Sequence, residues 1–124
     1  MNVLMLMLDL LIPLIIFITA ALIKRFPPRF GSGIGYRTSL SERNELTWNT
    51  AQWLFVRYAV IFMIPAAVIG AAGGIIGIVM NFDEDTAGLT LVWINLVQTV
   101  LLFAAIILTE VGLHKRFDKY GNPK

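Results

Sequence analysis

The sequence contains no cysteine, which excludes disulfide bonds, thiolate nucleophiles and cysteine-based metal sites. Its one histidine, His114, has no second histidine and no well-spaced carboxylate pair around it, so no ligand set for a metal is present. No nucleophile stands in a pattern with a base. Neither an enzyme nor a bound cofactor is expected. Charge is scarce as well. Asp, Glu, Lys and Arg make up 15% of the 124 residues, whereas a water-soluble domain has about 25%.

The deficit is concentrated in three apolar runs. Val3 to Ile23 carries one charge, Asp9, while Ala59 to Met80 and Leu89 to Thr109 carry none. A bilayer core about 30 Å thick takes roughly 20 helical residues, so each run is long enough to span it. The first run is not preceded by a basic stretch, and Lys24 and Arg25 follow it directly, so it reads as a retained helix and not as a secretory signal. The expected fold is a single all-α integral membrane domain with three transmembrane helices, over residues 3–23, 59–80 and 89–109.

The basic residues give an orientation. Lys24, Arg25, Arg29, Arg37, Arg43 and Arg57 lie between the first and second runs, and Lys115, Arg116, Lys119 and Lys124 follow the third. The opposite side has only Met1, Asn2 and the loop 81–88 with Asp83, Glu84 and Asp85. Basic loops stay cytoplasmic, which places the N-terminus outside and the C-terminus inside a multi-pass membrane protein. The net charge of +2 is then a dipolar distribution and not a nucleic-acid footprint. The lipid bilayer is the expected partner, with anionic head groups meeting the basic side.

Local signals divide the chain further. Pro13 predicts a kink in the first helix, and Phe26-Pro27-Pro28 ends it. Gly31, Gly33 and Gly35 lack the strand and spacing of a nucleotide-binding loop, and read as turn geometry. Ser39 followed by Glu42 has the pattern of a capping box and predicts a helix starting near Leu40. Asn44, Trp48, Ala51, Phe55 and Tyr58 recur on one side of it, with Glu45, Asn49 and Gln52 on another. Residues 24–58 thus form a cytoplasmic loop and an interfacial amphipathic helix before the second span. Within that span, Gly70-x-x-x-Gly74 and Gly73-x-x-x-Gly77 allow close backbone approach, either among the three helices or in a homo-oligomer.

Two groups of polar residues are candidates for function. Asp9 is an ionisable group inside a span, which is by default a functional hypothesis. Equal depth in the third helix is reached at Asn95, with Gln98 one turn deeper, so Asp9, Asn95 and Gln98 are expected to gather opposite Gly73 and Gly77. Such a cluster is either a ligand or proton site opening outwards or an aspartate that snorkels to water or stabilises helix packing. Arg37 is the second candidate. Its expected partner is Glu110 at the same boundary, and the alternative is a bound phosphate or carboxylate.

The segment Gly35-Tyr36-Arg37-Thr38, continued by Ser41, Asn44, Trp48 and Ala51, resembles the G-[IY]-R-T-x-x-S-x-x-N-x-x-x-W-x-x-A pattern of the SdpI family of bacterial membrane proteins. The resemblance is close over residues 27–75; the flanking helices match only as apolar spans. In that family the motif lies in a cytoplasmic loop before a membrane helix. The resemblance implies a multi-pass protein of a bacterial cytoplasmic (inner) membrane, immunity against a secreted membrane-active peptide toxin, and signalling to a cytoplasmic regulator. It makes Gly35, Tyr36, Arg37, Thr38, Ser41, Asn44 and Trp48 the working residues; the alternative is that they only shape the loop and cap the helix. Two rival functions are a small oligomeric transporter or lipid-handling protein, and a structural subunit of another membrane protein.

Overall fold

A computed structural model describes residues 3–124; Met1 and Asn2, assigned to the acidic side by the charge pattern, lie outside the described residues. Four helices follow in order: α1 (Val3–Asp9), α2 (Leu11–Arg25), α3 (Glu45–Val79) and α4 (Glu84–Arg116). The described residues form no extended strand, and one isolated bridge pairs Phe117 with Pro123. α3 and α4 are long and apolar enough to cross a membrane, and α1 with α2 makes a third such unit if the bent pair is counted as one span.

Pro13 explains the bend. A proline has no N–H to offer the carbonyl four residues back, which here belongs to Asp9. α1 accordingly ends at Asp9, and α2 leaves at 47° to it. The Asp9 carbonyl takes a hydrogen bond from another helix instead, from Gln98 Nε2 at 2.7 Å.

The start of α3 differs from expectation. Ser39 and Glu42 do not cap a helix; residues 39–43 form turns, and α3 begins at Glu45. The capping box is Asn44 with Thr47: Asn44 Oδ1 accepts from the Thr47 N–H at 2.9 Å, and Thr47 Oγ1 accepts from the Asn44 N–H at 3.1 Å. Nor is there a separate interfacial helix. α3 runs unbroken for 35 residues, through Pro65, and at 1.5 Å per residue is roughly 50 Å long. That is longer than the roughly 30 Å that a bilayer core covers. α3 ends on Asn81, whose φ of 54° lets its own N–H and that of Phe82 bond back to Ile78 and Gly77.

α3 is the central helix, packed most extensively on α4 and next on α2. At the basic end, Ile23, Leu40, Leu54, Phe55, Leu113 and Phe117 form one core cluster. Fully buried Ala51 and Ala59 keep the helices close there. Elsewhere the distribution is inverted relative to a water-soluble domain. Ile61, Ile64 and Val68 of α3 and Val92, Val100 and Phe103 of α4 are all at least half exposed. Large apolar side chains on the outside and polar ones within are compatible with a membrane protein.

The C-terminal residues are more than a basic tail. After Arg116 the chain turns around Asp118, whose Oδ1 accepts from the N–H groups of Tyr120 and Asn122, and these bonds hold its carboxyl below the usual range. Gly121, at φ +84°, comes against α3, where its carbonyl accepts from Asn44 Nδ2 at 2.8 Å. The two ends of the basic side are thus fastened together through the helix cap.

Candidate functional site

The motif segment folds into a platform at the basic end. Gly35, at φ +113°, turns the chain so that a Cβ there would lie 2.7 Å from both Gln52 Oε1 and Pro28 Cγ. This close approach lets Gln52 act as a surrogate strand for Tyr36. The Tyr36 N–H donates to Gln52 Oε1 (2.8 Å), and Gln52 Nε2 donates to the Tyr36 carbonyl (2.7 Å). Gln52, placed with the polar face by its spacing, is therefore buried and structural.

The remaining motif residues are used in the same way. The Tyr36 ring stacks on Phe55 with centroids 5.1 Å apart, and its hydroxyl donates to Glu110 Oε1 at 2.6 Å. Burial, then the bond to Glu110 and its negative charge, hold this phenol far above its ordinary range, so it remains a donor. Thr38 and Ser41 bond each other reciprocally: the Thr38 N–H donates to Ser41 Oγ and the Ser41 N–H to Thr38 Oγ1. Fully buried Trp48 donates from Nε1 to the Pro28 carbonyl at 2.9 Å, with Phe30 edge-on to its ring.

Arg37 departs from expectation. It does not reach Glu110, whose carboxylate is held by Tyr36 and lies 3.5 Å from His114 Nε2. Arg37 Nε pairs instead with Glu42 Oε1 at 2.8 Å, and Nη1 donates to the Gly33 carbonyl. The Tyr36 hydroxyl reaches Glu110 from the buried side of the turn, which leaves Arg37 outside. With its side chain 53% exposed, Arg37 is the charged motif residue presented to solvent.

A second polar site lies inside the bundle. Gln98 Nε2 donates both to the Asp9 carbonyl and, at 3.0 Å, to the Ala66 carbonyl. Two carbonyl partners fix the orientation of the amide and tie α4 to α1 and α3. Its other atom, Oε1, then has no donor. Both carboxyl oxygens of Asp9 and Oδ1 of Asn95 are likewise buried without a hydrogen-bond partner among the described residues. Asp9 and Gln98 are completely buried, whereas Asn95 is half-buried.

Gly70 and Gly74 lie beside this site, a place expected of Gly73 and Gly77. A Cβ on Gly70 would lie 2.5 Å from the Asp9 carbonyl oxygen and 2.8 Å from Gln98 Nε2. One on Gly74 would strike the Leu6 side chain and come 3.2 Å from Asp9 Oδ2. Gly73 faces Ile94 of α4, and Gly77 is buried. α1 and α4 thus already occupy the places that Gly70, Gly73 and Gly74 open in α3.

Spacing did not single out the region beside the platform. Lys24, Trp53 and Arg57 line a groove between the end of α2 and α3. The available signal was that Lys24 and Arg57 are the charges nearest the first and second apolar runs on the loop between them. The chain finds no match among known protein families, curated proteins or solved structures.

Proposed function

We propose that this is a non-catalytic membrane protein that binds a secreted membrane-active peptide and protects the cell carrying it. Its basic end faces the cytoplasm and its 81–88 loop faces outwards, in keeping with the distribution of charge. The observation that carries the proposal is the group of acceptors inside the bundle: both Asp9 carboxyl oxygens, Asn95 Oδ1 and Gln98 Oε1, all buried and unpaired among the described residues. Each unpaired buried acceptor costs about 1–3 kcal/mol. An inserted peptide carries what the site lacks, namely N–H or ammonium donors, and an apolar body matched to the surrounding helices. The likeness of residues 35–51 to the SdpI motif is the second support.

In this mechanism the peptide enters from the outer side and donates to Asp9, Asn95 and Gln98. Because the Asp9 carbonyl rests on Gly70 and is bonded to Gln98, occupancy shifts the α1–α2 bend against α3 and α4. α2 and α3 carry that shift to the platform, where exposed Arg37 meets a cytoplasmic regulator. The test is survival of a sensitive bacterium expressing the protein and challenged with a panel of secreted membrane-active peptides. Wild type is expected to protect, and Asp9→Leu and Asn95→Leu to lose protection at matched membrane levels while melting at or above the wild-type temperature. Full protection by both variants removes the intramembrane site from the mechanism, and no protection by wild type removes the function.

A further inference from the structure

The groove beside the platform has a volume of 690 Å³ and two unlike parts. Ile23, Val56, Val60 and Ile61 form an apolar floor, while Lys24 and Arg57 provide two cationic groups. No acidic residue lines it, and neither cation is in an ion pair among the described residues. The Arg57 guanidinium lies 5.5 Å from the centroid of Trp53, one helical turn nearer the loop. That contact directs the side chain away from the apolar run and towards the polar end, as expected of a snorkelling arginine.

Depth supplies the rest. Lys24 is the first charge after the apolar run 3–23 apart from Asp9 within it, and Arg57 is the last before the charge-free run 59–80. Trp53 is half exposed, as a side chain at a bilayer interface is. The two cations therefore stand where lipid phosphates lie, and the floor continues from them towards the hydrocarbon.

We propose that this groove holds one anionic phospholipid, with its phosphate between Lys24 and Arg57 and one acyl chain along Ile23, Val60 and Ile61. Two uncompensated cations favour a net-negative head group over a zwitterionic one and disfavour a cationic peptide. The site is separate from the intramembrane acceptors and stands whether or not the protein confers immunity.

Native mass spectrometry of the full chain, titrated in detergent with phosphatidylglycerol and phosphatidylcholine of the same acyl chains, tests the assignment. Wild type is expected to retain phosphatidylglycerol in preference. Lys24→Gln and Arg57→Gln each lower that preference by about fivefold, and Arg57→Lys keeps most of it. Lys119→Gln with Lys124→Gln, at the same end of the molecule but off the groove, leaves it unchanged. Val60→Trp fills the floor and reduces retention of both lipids with no change in charge. Circular dichroism establishes that each variant is folded. Equal retention of the two lipids by wild type, an undiminished preference in folded Lys24→Gln/Arg57→Gln, or an equal loss in the tail pair overturns the proposal.

Discussion

The loop platform and the bundle interior both gather polar side chains, but they do so with opposite results. At the platform nearly every motif group has a partner: Gln52 serves both backbone groups of Tyr36, Thr38 and Ser41 serve each other, and Trp48 reaches Pro28. Inside the bundle, Gln98 satisfies two carbonyls with its donor atom, while four acceptor atoms go without. The difference lies in the supply of donors. A loop brings many backbone N–H groups within reach, whereas helices have consumed theirs internally and present mainly apolar side chains to one another. Full pairing marks architecture, and the unpaired acceptors in a donor-poor interior are what the proposed peptide site rests on.

The comparison can be broken at either end. The largest effect is expected at the platform from Trp48→Ala, which empties a completely buried site and orphans the Pro28 carbonyl. Thermal melting in detergent should show a loss of about 3–5 kcal/mol, and a small loss would mean that the platform is not a packed unit. Next is Gly70→Val in the bundle, where the new side chain meets the Asp9 carbonyl and Gln98. The expected loss is about 1–3 kcal/mol, together with increased proteolysis near the α1–α2 bend. Gly88→Ala, with nothing within 4 Å of its Cβ, is the matching control and should be neutral or stabilising.

A pH experiment examines the platform alone. The folded state raises the Tyr36 pKa, so its contribution is complete below about pH 10, where an unfolded tyrosine begins to ionise. As pH rises above that, the unfolded chain loses its proton first and the contribution disappears. Alkaline melts of wild type should therefore fall more steeply than those of Tyr36→Phe; parallel curves would separate the hydroxyl from Glu110. The smallest stability effect belongs to Arg37→Ala, less than about 1 kcal/mol for an exposed ion pair. Any larger consequence for signalling in cells would then be functional and not structural.

Much of the fold was legible in the chain. Three apolar runs, the break set by Pro13 and the end at Phe26-Pro27-Pro28 all correspond to helices or helix boundaries. The junction of loop and α3 was not. Ser39 and Glu42 had the spacing of a capping box, yet Asn44 and Thr47 satisfy the first turn of α3, helped by the Gly121 carbonyl from the far end of the chain. The convergence of Asp9 and Gln98 could be anticipated from residue depth, counted from the same side in the first and third apolar runs. Which glycines face them could not, since the rotation of α3 depends on α1, α2 and α4 together.

The sequence by itself determined the position of the apolar runs, the separation of basic from acidic ends and the bend near Asp9, because these are properties of contiguous segments: length, charge and one missing N–H. Only the tertiary structure decided which polar groups are paired. Tyr36 meets Glu110 across 74 positions and Gln98 meets Asp9 across 89, while Arg37 is left outside with Glu42. Hydrogen bonds act over about 3 Å, and no local pattern specifies which distant donors a packed bundle brings within that distance of an acceptor.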